Sequence, residues 1–269
     1  MEIQYTAVQV SDHMYRINEG TGVSEYLVIG SRKAMLIDTG FGIGDLKGFI
    51  QSLTDLPAAV YITHGHVDHA SGAYGFDEVY MNPLDAELQK KQCTLAYRKQ
   101  MMSSSGFHIR ETDFLPEKTD GFRDLNDKDL VDLGDVHVLF IHVPGHTRGS
   151  MVPLILEDRT AMFGDASGVG TLLGLENSAT VSEYLDALTY MKTYESLYDT
   201  ILRQHGSCWS PKELLDNNIE NCRLILERKD DRIPTKLMGR DCFWARRRTD
   251  TGARADGVEG NICYSEEEL

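Results

Sequence analysis

The segment at residues 64–69, which reads His-Gly-His-Val-Asp-His, constrains this chain more than any other. Its imidazole and carboxylate groups suit zinc and similar divalent ions, which need several ligands that converge on one point. The compact apolar run at residues 58–63 comes directly before it and predicts a β-strand. A histidine-rich surface loop without a function is the simpler alternative, but so many ligand types at a strand end favour a metal site.

Helix signals flank this cluster. Asp45 is placed to cap a helix whose apolar residues recur at helical spacing. A second helix is predicted from Asn82, with Pro83 in its first turn, to about Met102. The polar stretch that follows, to about residue 128, predicts a loop. We therefore expect residues 82–128 to form a helical and loop insertion over the site.

Later in the chain, strands resume at about residues 136–143, and two capping boxes predict helices. Thr180 with Glu183 is the first pair, and Ser210 with Glu213 is the second. No internal repeat, low-complexity tract or linker is evident, so we interpret residues 1–269 as a single domain. Residues 229–269 follow the last predicted helix and form a C-terminal extension of that domain.

Charge and composition exclude several functions. The 27 basic and 42 acidic residues among 269 give a net charge of −15, which repels phosphate backbones and argues against a nucleic-acid partner. No apolar run is long enough to predict a membrane span, and the N-terminus lacks the regions of a signal peptide. Five scattered cysteines are typical of reduced thiols. We therefore expect a cytoplasmic protein that acts on a small molecule.

Four further motifs, together with the cluster, resemble those of the metallo-β-lactamase superfamily in the same order. They are Ile-Asp-Thr-Gly at residues 37–40, Pro-Gly-His-Thr-Arg-Gly-Ser at 144–150, Phe-Gly-Asp-Ala at 163–166 and Gln-His-Gly at 204–206. The resemblance runs from about residue 20 to residue 210. An H-x-H-x-D-H motif is specific by itself, and a later His, Asp and His in the same order make coincidence very improbable.

This resemblance implies an α+β fold, a four-layer αββα sandwich in which two β-sheets lie face to face with helices outside. It also implies two divalent metal ions, with Zn²⁺ favoured and Mn²⁺ or iron as alternatives. By this analogy, His64, His66 and His146 would hold one ion, Asp68, His69 and His205 would hold the other, and Asp165 would bridge both. Asp38 would support the ligand loop through hydrogen bonds.

The reaction implied is hydrolysis of an ester, thioester or lactone of a small metabolite. Two ions about 3.5–4 Å apart can hold a bridging hydroxide at neutral pH, and that hydroxide would attack the carbonyl carbon. Asp68 would be the catalytic residue that orients the nucleophile and takes its proton. Because antibiotic-degrading members generally lack a bridging aspartate, Asp165 favours the branch that resembles glyoxalase II and lactonases.

Three alternatives stay open at this point. A single iron could occupy fewer of these ligands and oxidise persulfides, because iron accepts the same donors. A phosphodiesterase of the same fold and a catalytically inactive metal-binding scaffold are the other two.

Four histidines lie outside the motifs and are weaker candidates for the site. For these residues, His13, His108, His137 and His142, we expect structural or exposed positions. The basic, partly aromatic stretch from Arg240 to Arg254 has two interpretations. Its arginines could capture an anionic substrate group. The favoured interpretation is that they pair with surplus acids, within the chain or across a contact in a homodimer.

Overall fold

A computed structural model of the protein describes residues 4–269. The first three residues, on which part of the argument against a signal peptide rests, lie outside the described residues. The first β-sheet follows the order of the chain. Its strands are β1 (Thr6–Gln9), β2 (Met14–Asn18), β3 (Ser24–Ile29), β4 (Ala34–Ile37), β5 (Ala58–Tyr61), β6 (Val79–Met81) and β7 (Arg123–Asp124). Neighbours are antiparallel as far as β4 and parallel from there on.

Two more sheets use the rest of the strands. These are β8 (Leu130–Asp132), β9 (His137–His142), β10 (Met151–Ile155), β11 (Thr160–Met162), β12 (Thr171–Leu172), β13 (Thr200–Leu202), β14 (Trp209–Ser210), β15 (Ile233–Leu237), β16 (Arg240–Trp244) and β17 (Ile262–Tyr264). The second sheet has the order β14-β13-β11-β10-β9-β8, and a third, smaller sheet has the order β12-β17-β16-β15. Three of the four strands of the third sheet belong to the C-terminal extension.

Six α-helices accompany the sheets in the part of the chain that is described. They are α1 (Leu46–Leu53), α2 (Val67–Ala70), α3 (Ala86–Gln92), α4 (Leu95–Ser104), α5 (Val181–Lys192) and α6 (Leu214–Leu226). Short 3₁₀ turns cover Pro83–Asp85, Glu111–Asp113, Glu195–Leu197 and Glu266–Glu268. None of these helices within residues 4–269 is long and apolar enough to cross a bilayer.

The alternation of side chains along β4 shows how the layers are built. Met35 points into a core between the two large sheets, where it joins Phe140 of β9. Leu36 points the other way and packs with Ile50 of α1 on the outer face of the first sheet. Helices α5 and α6 cover the outer face of the second sheet, where Leu188 is fully buried. The predicted α+β fold with an αββα arrangement is confirmed.

The helix predicted from Asn82 to about Met102 is wrong as one continuous element. Asn82 does cap the first turn, but that turn is 3₁₀, and the chain then forms α3 and α4 with a break at Thr94. Thr94 has extended backbone angles, and its side chain accepts a hydrogen bond from the backbone N–H of Tyr97. Helix α3 therefore ends at Gln92 with Cys93 as its C-cap, and Thr94 caps the start of α4.

The two predicted capping boxes have different outcomes. Thr180 and Glu183 form a complete box at the start of α5. The box predicted for Ser210 and Glu213 is wrong, because Ser210 ends strand β14 and its hydroxyl donates to Glu259 instead. Helix α6 begins at Leu214 without a side-chain cap. The long-range partner of Ser210 has replaced the local one.

Candidate metal centre

The predicted site lies where five strands end at one edge of the sandwich. Residues 64–69 follow β5, and Asp38 follows the neighbouring parallel strand β4. In the second sheet, His146 follows β9, Asp165 follows β11 and His205 follows β13. These three strands point the same way, because β9 and β11 are both antiparallel to β10, and β11 is parallel to β13. Their carboxyl ends therefore meet at one edge.

All seven side chains predicted from sequence come together here. Their nitrogen and oxygen atoms form three groups within which every candidate ligand atom lies within 4.8 Å of the others. The groups are His64, His66 and His146; His64, His69 and Asp165; and Asp68, His69 and His205. The first and third groups have the same composition as the two ligand sets that the family resemblance implied.

Hydrogen bonds orient four of the imidazoles so that Nε2 faces the cluster. In each ring, Nδ1 makes a contact on the side away from the cluster. Nδ1 of His69 donates to Asp38 (2.8 Å), and Nδ1 of His146 donates to the carbonyl of Leu172 (2.9 Å). Nδ1 of His205 donates to the carbonyl of Gly22 (3.1 Å), and Nδ1 of His64 contacts the hydroxyl of Thr63 (3.1 Å). A histidine that binds a metal ion needs a free lone pair on the coordinating nitrogen. A proton on Nδ1 leaves that lone pair on Nε2. Nε2 of His64 is buried and has no hydrogen-bond partner among the described residues.

The separations between donor atoms fit coordination of a cation. Asp165 Oδ2 lies 3.5 Å from Nε2 of His146 and 3.7 Å from Nε2 of His69. Asp68 Oδ2 lies 3.4 Å from Nε2 of His205. Ligand bonds of about 2.0–2.1 Å at a tetrahedral angle place two ligand atoms about 3.4 Å apart. The residues present therefore fit a divalent metal ion.

Asp38 supports the ligand loop, as expected, and does not face the cavity. It is fully buried, and besides His69 it accepts hydrogen bonds from the backbone N–H of Thr63 (2.7 Å) and from the side-chain amide of Gln204 (3.0 Å). The carboxylate of Asp38 thus connects three parts of the site. They are Thr63 before the cluster, the predicted ligand His69 within it, and Gln204 beside His205. Its role is to hold the ligands in position.

Burial and mutual charge set the protonation of the cluster. Burial lowers the pKa of His64 well below its ordinary value and that of His66 to about 3, so both rings are neutral. Burial lowers the pKa of His205 as well, but the nearby carboxylates of Asp165 and Asp68 together have the larger effect. They raise the pKa of His205 to about 9. A cation that binds at His205 therefore displaces a proton.

Asp68 is an ionised and partly exposed carboxylate of the cluster. Burial alone would raise its pKa, but the neighbouring His69 and His205 hold it below the ordinary range. Its side chain is 23% exposed and that of Asp165 24%, whereas the side chain of His69 is completely buried. The two carboxylates and His205 therefore form the accessible side of the cluster.

Asp85 belongs to the site, although the sequence analysis missed it. Its buried carboxylate accepts hydrogen bonds from the backbone N–H groups of Gly65 and Gly149, both 2.9 Å, and from the hydroxyl of Thr147 (2.6 Å) and the amide of Asn177 (2.8 Å). The first two contacts connect the loop of His64 and His66 to the loop of His146. An acid in the first turn of a helix is too common to single this residue out from sequence.

Glu19 and Glu25 form a buried acidic pair that the sequence analysis also missed. Their carboxyl groups lie against Gly40, two residues after Asp38 in the chain. Burial raises the pKa of Glu19 to about 7 and that of Glu25 well above its ordinary value. Glu25 did carry a signal, because an acid within the otherwise apolar strand β3 predicts an unusual environment.

Two cavities flank the cluster. The larger has a volume of about 440 Å³ and extends from His66, Asp68, His146 and Asp165 to α4 and to the turn between β15 and β16. The smaller, about 370 Å³, lies toward the glycine-rich residues 168–170 and reaches Arg203 and His205. Pockets of about 300–1,000 Å³ are typical of small-molecule sites.

An independent sequence comparison identifies the family of this chain. A sequence profile described as the metallo-beta-lactamase superfamily matches residues 19–203. The chain belongs to the metallo-β-lactamase superfamily. The matched stretch contains the cluster at residues 64–69, His146 and Asp165 and ends just before His205. The resemblance inferred from the motifs is confirmed.

The relatives and the structural neighbours of this superfamily member agree with the assignment. The acyl-coenzyme A thioesterase MBLAC2 of Homo sapiens, like that of Bos taurus, is 28% identical over 204 residues, which cover 67% of this chain and 73% of the relative. These relatives confirm the prediction of a hydrolase.

Solved structures show the same fold. A metallo-beta-lactamase from Pontibacter korlensis superposes with a TM-score of 0.59 at 16% identity, over 82% of this chain and 99% of the other. The sec-alkylsulfatase Pisa1 from Pseudomonas sp. superposes with a TM-score of 0.64 at 14% identity, over 83% of this chain and only 42% of the sulfatase. At these identities the likeness concerns the fold alone.

The other residues that the sequence analysis weighed lie outside the cluster. His13 contacts Asp158 and His137 contacts Glu157, which fits the structural role expected of them. Two arginines of the basic stretch pair with acids within the chain, as the favoured interpretation expects: Arg240 with Glu267 and Arg254 with Asp256. Arg248 instead stacks on Trp244. Of the arginines in that stretch, Arg240 alone lines a cavity beside the cluster.

Proposed function

We propose that the chain is a dinuclear metal-dependent hydrolase that cleaves a thioester, or a related ester or lactone, of a small molecule. The observation that carries this proposal is the position of Asp165. One carboxylate oxygen lies 3.5–3.7 Å from Nε2 of His146, His69 and His205, which belong to both of the ligand groups. A carboxylate shared in this way supports two ions in place of one.

The cluster supports a direct role for Asp68 in the reaction. When bound, divalent ions lower the pKa of a coordinated water to about 7 and polarise a carbonyl oxygen. Asp68 remains ionised because its pKa is lowered, so it can accept the proton that water loses as the oxygen bonds to the acyl carbon. The bond from carbon to the leaving group then breaks, and the products are a carboxylate and the leaving group.

Two arguments favour a thioester among these substrates. The curated relatives are named as acyl-coenzyme A thioesterases. A thiol has a pKa of about 8.5, so it leaves as a thiolate without an acid, whereas the alcohol of an ester or lactone is far less acidic and depends more on a proton donor. Because the pKa of Asp68 is lowered, its carboxylate is ionised and has no proton to donate to a leaving group. The chemistry of the cluster therefore suits a leaving group that needs no proton.

Metal analysis combined with a substrate panel tests this proposal. We expect two zinc-like ions per chain by elemental analysis, and hydrolysis of acyl-coenzyme A in preference to a phosphodiester. One bound iron together with oxygen consumption on a persulfide would overturn the proposal in favour of the oxidising alternative. Absence of metal after reconstitution with zinc, manganese and iron would favour the inactive scaffold.

A further inference from the structure

The larger cavity beside the cluster is an open cleft with apolar walls. One wall comes from α4, through Tyr97 and Met101, and another comes from the C-terminal hairpin of β15 and β16, through Leu237 and Met238. Leu172 and Leu175 complete the walls, and all six side chains are half-buried or exposed. The predicted ligands Asp68 and Asp165 lie at the inner end. A molecule in the cleft therefore has one end at the metal centre.

The charged side chains of this cleft already have partners in the protein. Arg240 donates to the carbonyl of Gly174 (2.9 Å) and pairs with Glu267 (2.5 Å). Glu176 pairs with Lys91 (2.5 Å). An anionic or strongly polar occupant would have to compete with these contacts, whereas an apolar occupant would lose nothing by leaving them intact.

Met238 is an unusual residue for its position in the hairpin. It is the first of two residues that connect β15 to β16, and both have positive φ, 46° for Met238 and 87° for Gly239. This geometry is a type I′ turn, which favours Asn, Asp or Gly at the first position. The side chain of Met238 is nevertheless apolar, and the residue is 66% exposed. Turn geometry and solvent exposure both oppose a methionine here, so neither of them explains its presence.

We propose that this cleft binds the aliphatic acyl chain of the substrate, and that Leu237 and Met238 of the C-terminal hairpin form the wall that selects it. This inference rests on the proposed function and names the part of the substrate that the cleft accepts. The thiol portion of acyl-coenzyme A is polar and carries phosphates, for which the paired charges of the cleft offer no free partner. The acyl chain is the apolar portion, and it begins at the carbonyl carbon to which water would add beside the cluster.

The proposal predicts a preference for longer chains. Each methylene removed from water contributes up to about a fourfold gain in affinity, until the chain extends past the hairpin into solvent. The ratio of kcat/KM for dodecanoyl thioester to that for acetyl thioester measures this preference. Binding of a dansyl-labelled fatty acid to the metal-loaded protein, followed by fluorescence, measures the same contact without any catalytic step.

The variant Met238→Asn separates the acyl contact from stability. Asn is favoured at this turn position, so the melting temperature should stay the same or rise, while the apolar side chain is lost. We expect the ratio of kcat/KM to fall about fivefold and the Kd of the dansyl-labelled fatty acid to rise by a similar factor. Leu130→Asn is the matched control, because Leu130 is 58% exposed and lies outside the cleft lining. This control should leave both measurements unchanged.

Failure of this inference is distinguishable from failure of the proposed function. Thioester hydrolysis with a ratio and a fatty-acid affinity that Met238→Asn does not change would overturn the acyl cleft and leave the hydrolase intact. Fatty-acid binding that is weakened by Met238→Asn, in a protein that hydrolyses no thioester, would support the cleft and overturn the proposed substrate. Equal effects of Met238→Asn and Leu130→Asn would count against the cleft.

Discussion

An ideal Cβ atom on Gly149 would lie 2.6 Å from Cγ of Asp85, so the buried carboxylate packs directly against the backbone of Gly149 in the loop that holds His146. The same carboxylate lies against Gly65, between two of the predicted ligands, where an added Cβ would lie 2.9 Å from Cβ of Asp85. Both glycines leave room for an acid that binds the two ligand loops together.

Asp85→Asn should weaken both metal binding and folding. An amide has one acceptor oxygen, so its NH₂ group would face donors that now bind the carboxylate, and each unsatisfied buried group costs about 1–3 kcal/mol. We expect a loss of about 3 kcal/mol in unfolding free energy by urea titration, and roughly tenfold weaker zinc binding. Asp45→Asn is the control, since Asp45 caps α1 and Asn caps equally well. Equal behaviour of the two variants would contradict the role of Asp85.

Gly149→Ala should be harmful because the added methyl group has no space. The loop of His146 must move away from Asp85, and we expect loss of more than half of the bound metal by elemental analysis and a lower melting temperature. Gly168→Ala, beside the smaller cavity, is the comparison. There the added Cβ meets its nearest atom at 3.8 Å, which is ordinary contact, and the φ angle is not positive. A Gly149→Ala variant with full metal content would show that the loop tolerates displacement.

His66→Ala and Asp165→Ala should abolish hydrolysis and reduce bound metal while the fold is largely kept. Each substitution removes a predicted ligand, and Asp165→Ala also removes the carboxylate that lies within 3.7 Å of Nε2 of three histidines, namely His69, His146 and His205. We expect kcat/KM to fall by at least about a thousandfold, since the metal supplies the main electrostatic stabilisation. Far-ultraviolet circular dichroism checks the fold. His137→Ala, at an exposed pair with Glu157, should retain activity and metal. Full activity in either site variant would refute the assignment.

Glu19→Gln should stabilise the metal-free protein in a pH-dependent way. Burial raises the pKa of Glu19 in the folded state to about 7, from about 4.5 when unfolded. The folded state therefore binds the proton more tightly, and stability is lost as pH rises from 4.5 to 7 because the unfolded chain ionises first. Gln cannot ionise, so its advantage should be absent at pH 4, grow through this window and level off above pH 7, on the order of 3 kcal/mol.

Chemical denaturation with chelator present, at pH 5 and at pH 8, measures this difference. Glu220→Gln on the exposed face of α6 is the matched control, and its effect should be small at both pH values. An advantage of Glu19→Gln that is the same at both pH values would mean that Glu19 does not titrate in this range.

Local sequence determined the chemistry of this protein and the order of its parts. The predicted ligands at residues 64–69 have a spacing that indicates a metal site, and apolar runs followed by His146, Asp165 and His205 indicate strand ends. The capping box of Thr180 and the cap of Asp45 were likewise predictable, because both act over three residues. Such features depend on neighbours in the chain.

Tertiary structure alone decided which distant groups meet. Asp85 supports two loops because the sheets bring Gly65 and Gly149 to the same carboxylate, 20 and 64 residues away. Ser210 left its predicted cap because Glu259 is in reach. The C-terminal hairpin of β15 and β16 reaches the cleft because β17 joins it to β12 in the third sheet. No periodic pattern in the sequence predicts these contacts. Periodicity indicates single helices and strands, whereas these contacts depend on how the layers pack together.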